Sequence, residues 1–151
     1  MHPKIHLIIG IIFVIILHIF FSQITLAELS IIFLSSFLID GDHYLYYFIR
    51  EKNINPFKCY NWYKEHLKKT LTLSMAERKK EYTGFYLFHG IEPLTAIFLL
   101  GTYVFPFLIF VFIGLSLHMI VDVPHEYYIK RTIQKSSLIY NYTQWKKLFR
   151  K

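Results

Sequence analysis

The chain has 151 residues, 54% hydrophobic and 19% aromatic, and its 17 Lys and Arg against 10 Asp and Glu leave a formal charge of +7. A mean hydropathy of +0.36, carried by long apolar runs, excludes a disordered or ordinary soluble chain and predicts one membrane-embedded domain over 1–151. The basic residues lie between the apolar runs, where membrane topology explains them without a nucleic-acid partner, and the lone Cys59 excludes an internal disulfide framework and a thiolate zinc site.

From Ile5 to Phe21 only His6, Gly10 and His18 interrupt the apolar run. At about 1.5 Å per residue it approaches the roughly 30 Å hydrocarbon core, which predicts a first transmembrane helix over 5–21. Thr25-Leu26-Ala27 loosely resembles a signal-peptide cleavage site, but the run is long for a signal peptide and only Lys4 precedes it, so a retained span is expected. The second run, 29–49, is interrupted by Asp40-Gly41-Asp42-His43, inside the membrane or at its edge. In the charged loop that follows, Ser74-Met75-Ala76-Glu77 has capping-box spacing and predicts a helix that can run into the third span. Third and fourth spans are predicted over 84–104 and 105–123, separated by a turn near Pro106. Trp62, Tyr63 and Trp145 read as interfacial anchors, Tyr44 to Tyr47 as an interface belt, and the tail after Lys130 as an interfacial or solvated helix. The predicted fold is all-α, a four-helix membrane bundle of two hairpins with a cytoplasmic helical loop.

Of the Lys and Arg residues, one lies in the N-terminal tail, nine from Arg50 to Lys80 and seven from Lys130 to Lys151, with none in the turns Ser22 to Glu28 and Gly101 to Phe105. The positive-inside rule then places both termini and the middle loop in the cytoplasm, for a multi-pass protein of the cell (inner) membrane.

Ionisable side chains inside apolar spans cost about 2.5 to 3.5 kcal/mol each on insertion scales, so a group of them needs partners. His6 opens the first span, Asp40, Asp42 and His43 break the second, His89 and Glu92 enter the third, and His118 and Asp122 occupy the fourth. Counted from the nearest basic residues they share a depth of roughly 12 to 15 Å if the backbone is helical. His118 and Asp122 are four apart and His89 and Glu92 three apart, so each pair projects from one helical face. Asp40 and Asp42 share a face only if the chain turns, which Gly41 permits. Carboxylates and imidazoles from four helices at one depth repel unless a cation joins them. That predicts a divalent metal, Zn before Mn or Fe, as one or two ions. A lone His–Asp pair is more often an interhelical hydrogen bond, so the expectation rests on convergence. His18 is expected to be satisfied by a neighbouring helix, His66 to face solvent or headgroups, and His125 to lie at the surface. His2, one turn before His6, is a further candidate.

Ile5-His6-Leu7-Ile8-Ile9-Gly10, Ile39-Asp40-Gly41-Asp42-His43, Phe88-His89-Gly90 and Gly114-Leu115-Ser116-Leu117-His118-Met119-Ile120-Val121-Asp122 together resemble the membrane-bound metal-dependent hydrolases, also described as LexA-binding inner-membrane-associated hydrolases. The resemblance spans roughly Ile5 to Asp122. It implies His6, Asp40, Asp42, His43, His89, His118 and Asp122 as metal ligands. The third motif departs: the family shows a His-Arg-Gly-x-Thr-His-like stretch where this chain has His89-Gly90-Ile91-Glu92-Pro93, so a ligand there is missing, moved or replaced by Glu92.

A His-x-x-x-Asp also occurs in phosphatidic-acid-type phosphatases, but their Lys-x6-Arg-Pro and Pro-Ser-Gly-His are absent, as is Gly-x-Ser-x-Gly. The expected function is therefore metal-dependent hydrolysis of a lipid or lipid-linked ester or phosphoester, with Glu92 or Asp122 as general base. The alternative is a non-catalytic protein that binds or transports a divalent metal. Transport would require polar groups continuing to the far side, where the spans offer little beyond His18 and Glu28.

Overall fold

The computed structural model describes residues 3–82, 84–133 and 136–149. His2 lies outside them, as does the Trp145 side chain. Every regular element among the described residues is an α-helix: α1 Pro3–Phe20, α2 Leu26–Leu38, α3 Gly41–Glu51, α4 Pro56–Thr72, α5 Met75–Lys80, α6 Ile91–Tyr103, α7 Leu108–Lys130 and α8 Leu138–Phe149.

Local chemistry sets most boundaries. Thr25 and Glu28 form a reciprocal capping box at the start of α2, satisfying two free N–H groups of the first turn. Asn55 caps α4 by accepting from Phe57 N and Lys58 N, with Pro56 at the first helical position, where its missing N–H costs nothing. The predicted Ser74/Glu77 box is present, but the helix it starts ends at Lys80. None of the described residues from Glu81 to Gly90 is helical, and α6 begins only at Ile91. The span expected over 84–104 is thus an irregular segment followed by a shorter helix. Gly84 in that segment has φ +121, and a Cβ there would press on Tyr86 and Tyr46, so the turn requires glycine. The fourth run extends past the expected 123 to Lys130, and Arg131 closes it in the left-handed conformation.

The second run is two helices, α2 and α3. Between them Asp40 N, Asp42 N and His43 N donate to the carbonyls of Phe37, Ile39 and Asp40, a tight stretch of bonds spanning three residues. Ile39 and Asp40 keep right-handed helical angles. The break therefore does not use the conformational freedom of Gly41.

Helices α1, α2, α6 and α7 pack side by side, chiefly through α2 against α7, with α1 on α2 and α6 on α7. Gly114 of α7 lies against the Ile32 carbonyl and Ser35 of α2, and Gly10 of α1 against Ser36 and Phe33. Small residues let these backbones approach closely. Among the described residues one helix, α7, is long and apolar enough by itself to cross a membrane; α1 and α6 are shorter apolar helices. The interior holds His6, Asp42, His89, His118, Asp122, Glu126 and Lys130, all buried, while Ile8, Ile12, Ile15, Ile19, Leu38, Leu99 and Ile120 face outward.

Candidate metal centre

Four segments meet at one end of the bundle: the N-terminal turn of α1, the α2–α3 junction, the irregular stretch before α6, and the middle of α7. They bring His6, Asp40, Asp42, His43, His89, His118 and Asp122 into a single cluster. Among the described residues, two triads, His6/His118/Asp122 and Asp40/His43/His89, each present ligand atoms within 4.8 Å of one another. These buried groups can hold a metal ion.

His118 Nδ1 donates to the Ser36 carbonyl at 2.9 Å, which can only accept, so the hydrogen sits on Nδ1 and the Nε2 lone pair is exposed to the cluster. His89 Nδ1 likewise donates to Asp42 Oδ2 at 2.9 Å. The two Nε2 atoms face each other at 3.2 Å, so two lone pairs meet where only a proton or a cation can lie between them. Asp40 Oδ1 is 3.6 Å from His118 Nε2 and 3.8 Å from His89 Nε2; Asp122 Oδ2 is 3.7 and 3.8 Å from the same atoms. Separations of 3.2 to 3.8 Å are of the size found between neighbouring ligand atoms around an ion with bonds of roughly 2.0 to 2.2 Å, as for zinc with nitrogen and oxygen. Asp40 Oδ2 is buried without a hydrogen-bond partner, a cost that a nearby cation would offset.

The other members hold these four in place. Asp42 Oδ2 also accepts from Phe88 N at 3.1 Å, and Asp42 Oδ1 lies 3.0 Å from His43 Nδ1. One buried carboxylate thereby orients His89, His43 and the backbone between them, the carboxylate–imidazole pairing typical behind metal ligands. His6 Nε2 is 3.1 Å from Asp122 Oδ1, and its ring stacks on His118 at 3.9 Å. Tyr86 stacks on His43 at 4.0 Å, and the Tyr63 hydroxyl donates to the His43 carbonyl at 2.8 Å. Burial raises the Tyr63 phenol above its ordinary range, so it stays a donor.

Glu92 is elsewhere. Its carboxylate accepts from the Ser137 hydroxyl at 2.5 Å, Leu138 N at 2.9 Å and Ile139 N at 3.3 Å, capping α8 from the first turn of α6. Its two oxygens are engaged there rather than by the cluster residues. The three-residue spacing from His89 misled because the helix starts at Ile91, so the two residues do not share a helical face.

A cavity of about 350 Å³ opens off the cluster at Asp40, His43 and Asp122 and runs beneath α4 to the end of α7. Its lining corrects three expectations. His66 is half-buried against Trp62 with parallel rings 5.4 Å apart and lies 3.5 Å from Glu81; burial lowers its pKa below the ordinary histidine value. His125 lines the cavity rather than the outer surface. Trp62 and Tyr63 pack inward on α3 side chains and the cavity wall instead of standing free as anchors. Cys59 also lines it, with burial pushing its thiol up, which disfavours a thiolate nucleophile or ligand. His18 is exposed and has no hydrogen bond among the described residues, so the expected interhelical partner is missing.

The sequence reading missed Ser36, whose contribution is a backbone carbonyl and leaves no residue-type signal. It also missed Glu126 and Lys130, which continue the four-residue spacing of His118 and Asp122 and were legible by extending it. Comparison with family models, curated proteins and solved structures finds no match.

Proposed function

We propose that this chain is a membrane-embedded metal-dependent hydrolase, akin to the membrane-bound metal-dependent hydrolases it resembles, acting on a lipid or lipid-linked ester or phosphoester. The observation that carries the reading is the pair of His89 and His118 Nε2 atoms at 3.2 Å, both presenting lone pairs and both flanked by Asp40 and Asp122 oxygens. An imidazole–carboxylate set of this size suits zinc, with manganese or iron next. A divalent ion held there would lower the pKa of a bound water and polarise the scissile bond. The chain's own contribution is preorganisation: Asp42 and the Ser36 carbonyl set both imidazole tautomers, and His6 turns Asp122 so that one oxygen faces the cluster. Asp122, which lines the cavity where it meets the cluster and is backed by His6, is placed to accept a proton.

The membrane reading draws on an inside-out distribution: ionisable groups in the core, exposed Ile, Leu and Phe outside, with α7 long enough to span. We read four spans, α1, α2 with α3, α6 and α7, with both termini and the α4–α5 loop cytoplasmic and the cluster toward that side.

The test has two parts. Protein purified without chelator should carry one or two divalent ions per chain by elemental analysis, and hydrolysis across a panel of lipid esters and phosphoesters should stop on chelation and return with Zn or Mn. Metal-replete protein that moves the ion across vesicles without turning over any of the panel would replace the hydrolase with a transporter. Cysteines introduced at Lys69 and Gln23 should label from opposite faces; labelling from one face would overturn the topology.

A further inference from the structure

The start of α8 fastens both ends of the irregular segment that carries His89. At one end the buried Asn141 donates through Nδ2 to the Gly84 carbonyl at 2.9 Å. At the other, Ile91 N donates to the Ser136 carbonyl at 2.9 Å, and Glu92 accepts from Ser137, Leu138 N and Ile139 N. A Cβ at Gly90 would press on Leu138 and Glu92, so α8 sits directly against the chain beside His89. Between these ties, Phe88 N and His89 Nδ1 bond to Asp42 Oδ2. Moving α8 would therefore carry both ends of the segment with it and draw His89 away from Asp42.

The rest of α8 lacks such support. The bonds above engage only its first turn, and among the described residues no other helix packs extensively along it. A helix of 12 residues is marginal in water without a surface to lie on. Ile139, Tyr142, Thr143 and Lys146 have the spacing of one helical face, and all four are exposed. That face is apolar and aromatic near the bundle and basic further along. From Arg131 to Lys151 the chain holds six Lys and Arg and no Asp or Glu. Phe85, Leu87 and Phe88 of the tethered segment are exposed as well. Apolar and aromatic groups beside uncompensated cations suit the boundary between acyl chains and headgroups, and the cations favour anionic headgroups. We infer that α8 docks on an anionic lipid surface and that this docking holds the His89 segment in place, so that lipid charge regulates the metal centre. This rests on the membrane and metal readings above and adds regulation to the same site.

Amide hydrogen exchange of the protein in nanodiscs reads both halves. Exchange in α8 and from Phe85 to Gly90 should be at least about tenfold slower in phosphatidylcholine containing phosphatidylglycerol than in phosphatidylcholine alone. High salt, which screens exposed charge, should remove the difference. Metal affinity, by chelator competition in the same discs, should rise at least about threefold with phosphatidylglycerol. Lys146→Gln combined with Lys147→Gln should abolish the lipid dependence of all three readouts and leave the phosphatidylcholine values as in the parent. Asn141→Leu should keep α8 protected by phosphatidylglycerol while the Phe85 to Gly90 amides no longer follow. Equal exchange of α8 in the two lipids overturns the inference, as does protection of α8 in the parent with none in the segment. Protection in phosphatidylcholine alone that grows with protein concentration would give the face to a second copy of this chain instead. Failure of the hydrolase reading looks different: the lipid-dependent exchange would persist in a protein that holds no metal or turns over no lipid ester.

Discussion

His6 and His18 sit on the same apolar helix, twelve residues apart, and have opposite fates. His6 is 2% exposed, bonded to Asp122 and stacked on His118. His18 is exposed beside a shallow groove lined by residues such as Ile11, Val14, Leu26 and Phe33. The difference comes from α7. Opposite His6 that helix presents His118 and Asp122, whereas its other half, Leu108 to Leu117, supplies no ionisable partner. A histidine in an apolar helix therefore says little by itself; convergence of several segments makes a site.

The comparison is most easily broken at His118. His118→Ala removes one Nε2 from the centre and should weaken metal binding by more than about 100-fold, measured by elemental analysis after dialysis against a weak chelator. Retention of the parental metal content would dissolve the distinction between the two ends. Asp42→Asn should cost less, about 10- to 100-fold in affinity by chelator competition. It keeps the shape but replaces one of two accepting oxygens, so that His89, His43 and Phe88 N can no longer all be satisfied.

Gly114→Ala sharpens the comparison from the packing side. A Cβ there meets the Ile32 carbonyl and Ser35, and overpacking of this kind costs about 1 to 3 kcal/mol. Displacing α2 also moves the Ser36 carbonyl from His118 Nδ1, so thermal unfolding in detergent should begin earlier and metal affinity fall with it. A variant with lowered stability but parental affinity would show that the site does not depend on the α2–α7 contact. The smallest effect belongs to His18→Ala, expected to change stability by less than about 0.5 kcal/mol and to leave metal content as it was. A loss of metal there would place a functional group at the wrong end.

Periodicity and residue type carried the reading a long way. The hydrophobic runs are legible because apolar length has few other uses, and the cluster was legible because ionisable groups in apolar helices are costly enough to need partners. The Ser74/Glu77 capping box was legible because it is local and depends on three residues of spacing; the Thr25/Glu28 box has the same spacing and was not read. Glu92 fails for the same physical reason in reverse: its partner is α8, 45 residues away, and no local rule reaches that far. The cavity was illegible as well, since His66, His125 and Lys130 become its wall only when α4 folds back beneath the end of α7.

The amino-acid sequence by itself determined the all-helical class, the segregation of basic residues and a set of eight ionisable groups expected to converge, Glu92 among them, because each follows from spacing and from the cost of an unpartnered charge; the resemblance narrowed these to seven His and Asp side chains. Tertiary structure alone decided their division of labour. The Nε2 atoms of His89 and His118 face each other with Asp40 and Asp122 oxygens beside them, while Asp42 and the Ser36 carbonyl bind the opposite ring nitrogens, since a histidine's free nitrogen is set by what its other nitrogen touches across the bundle.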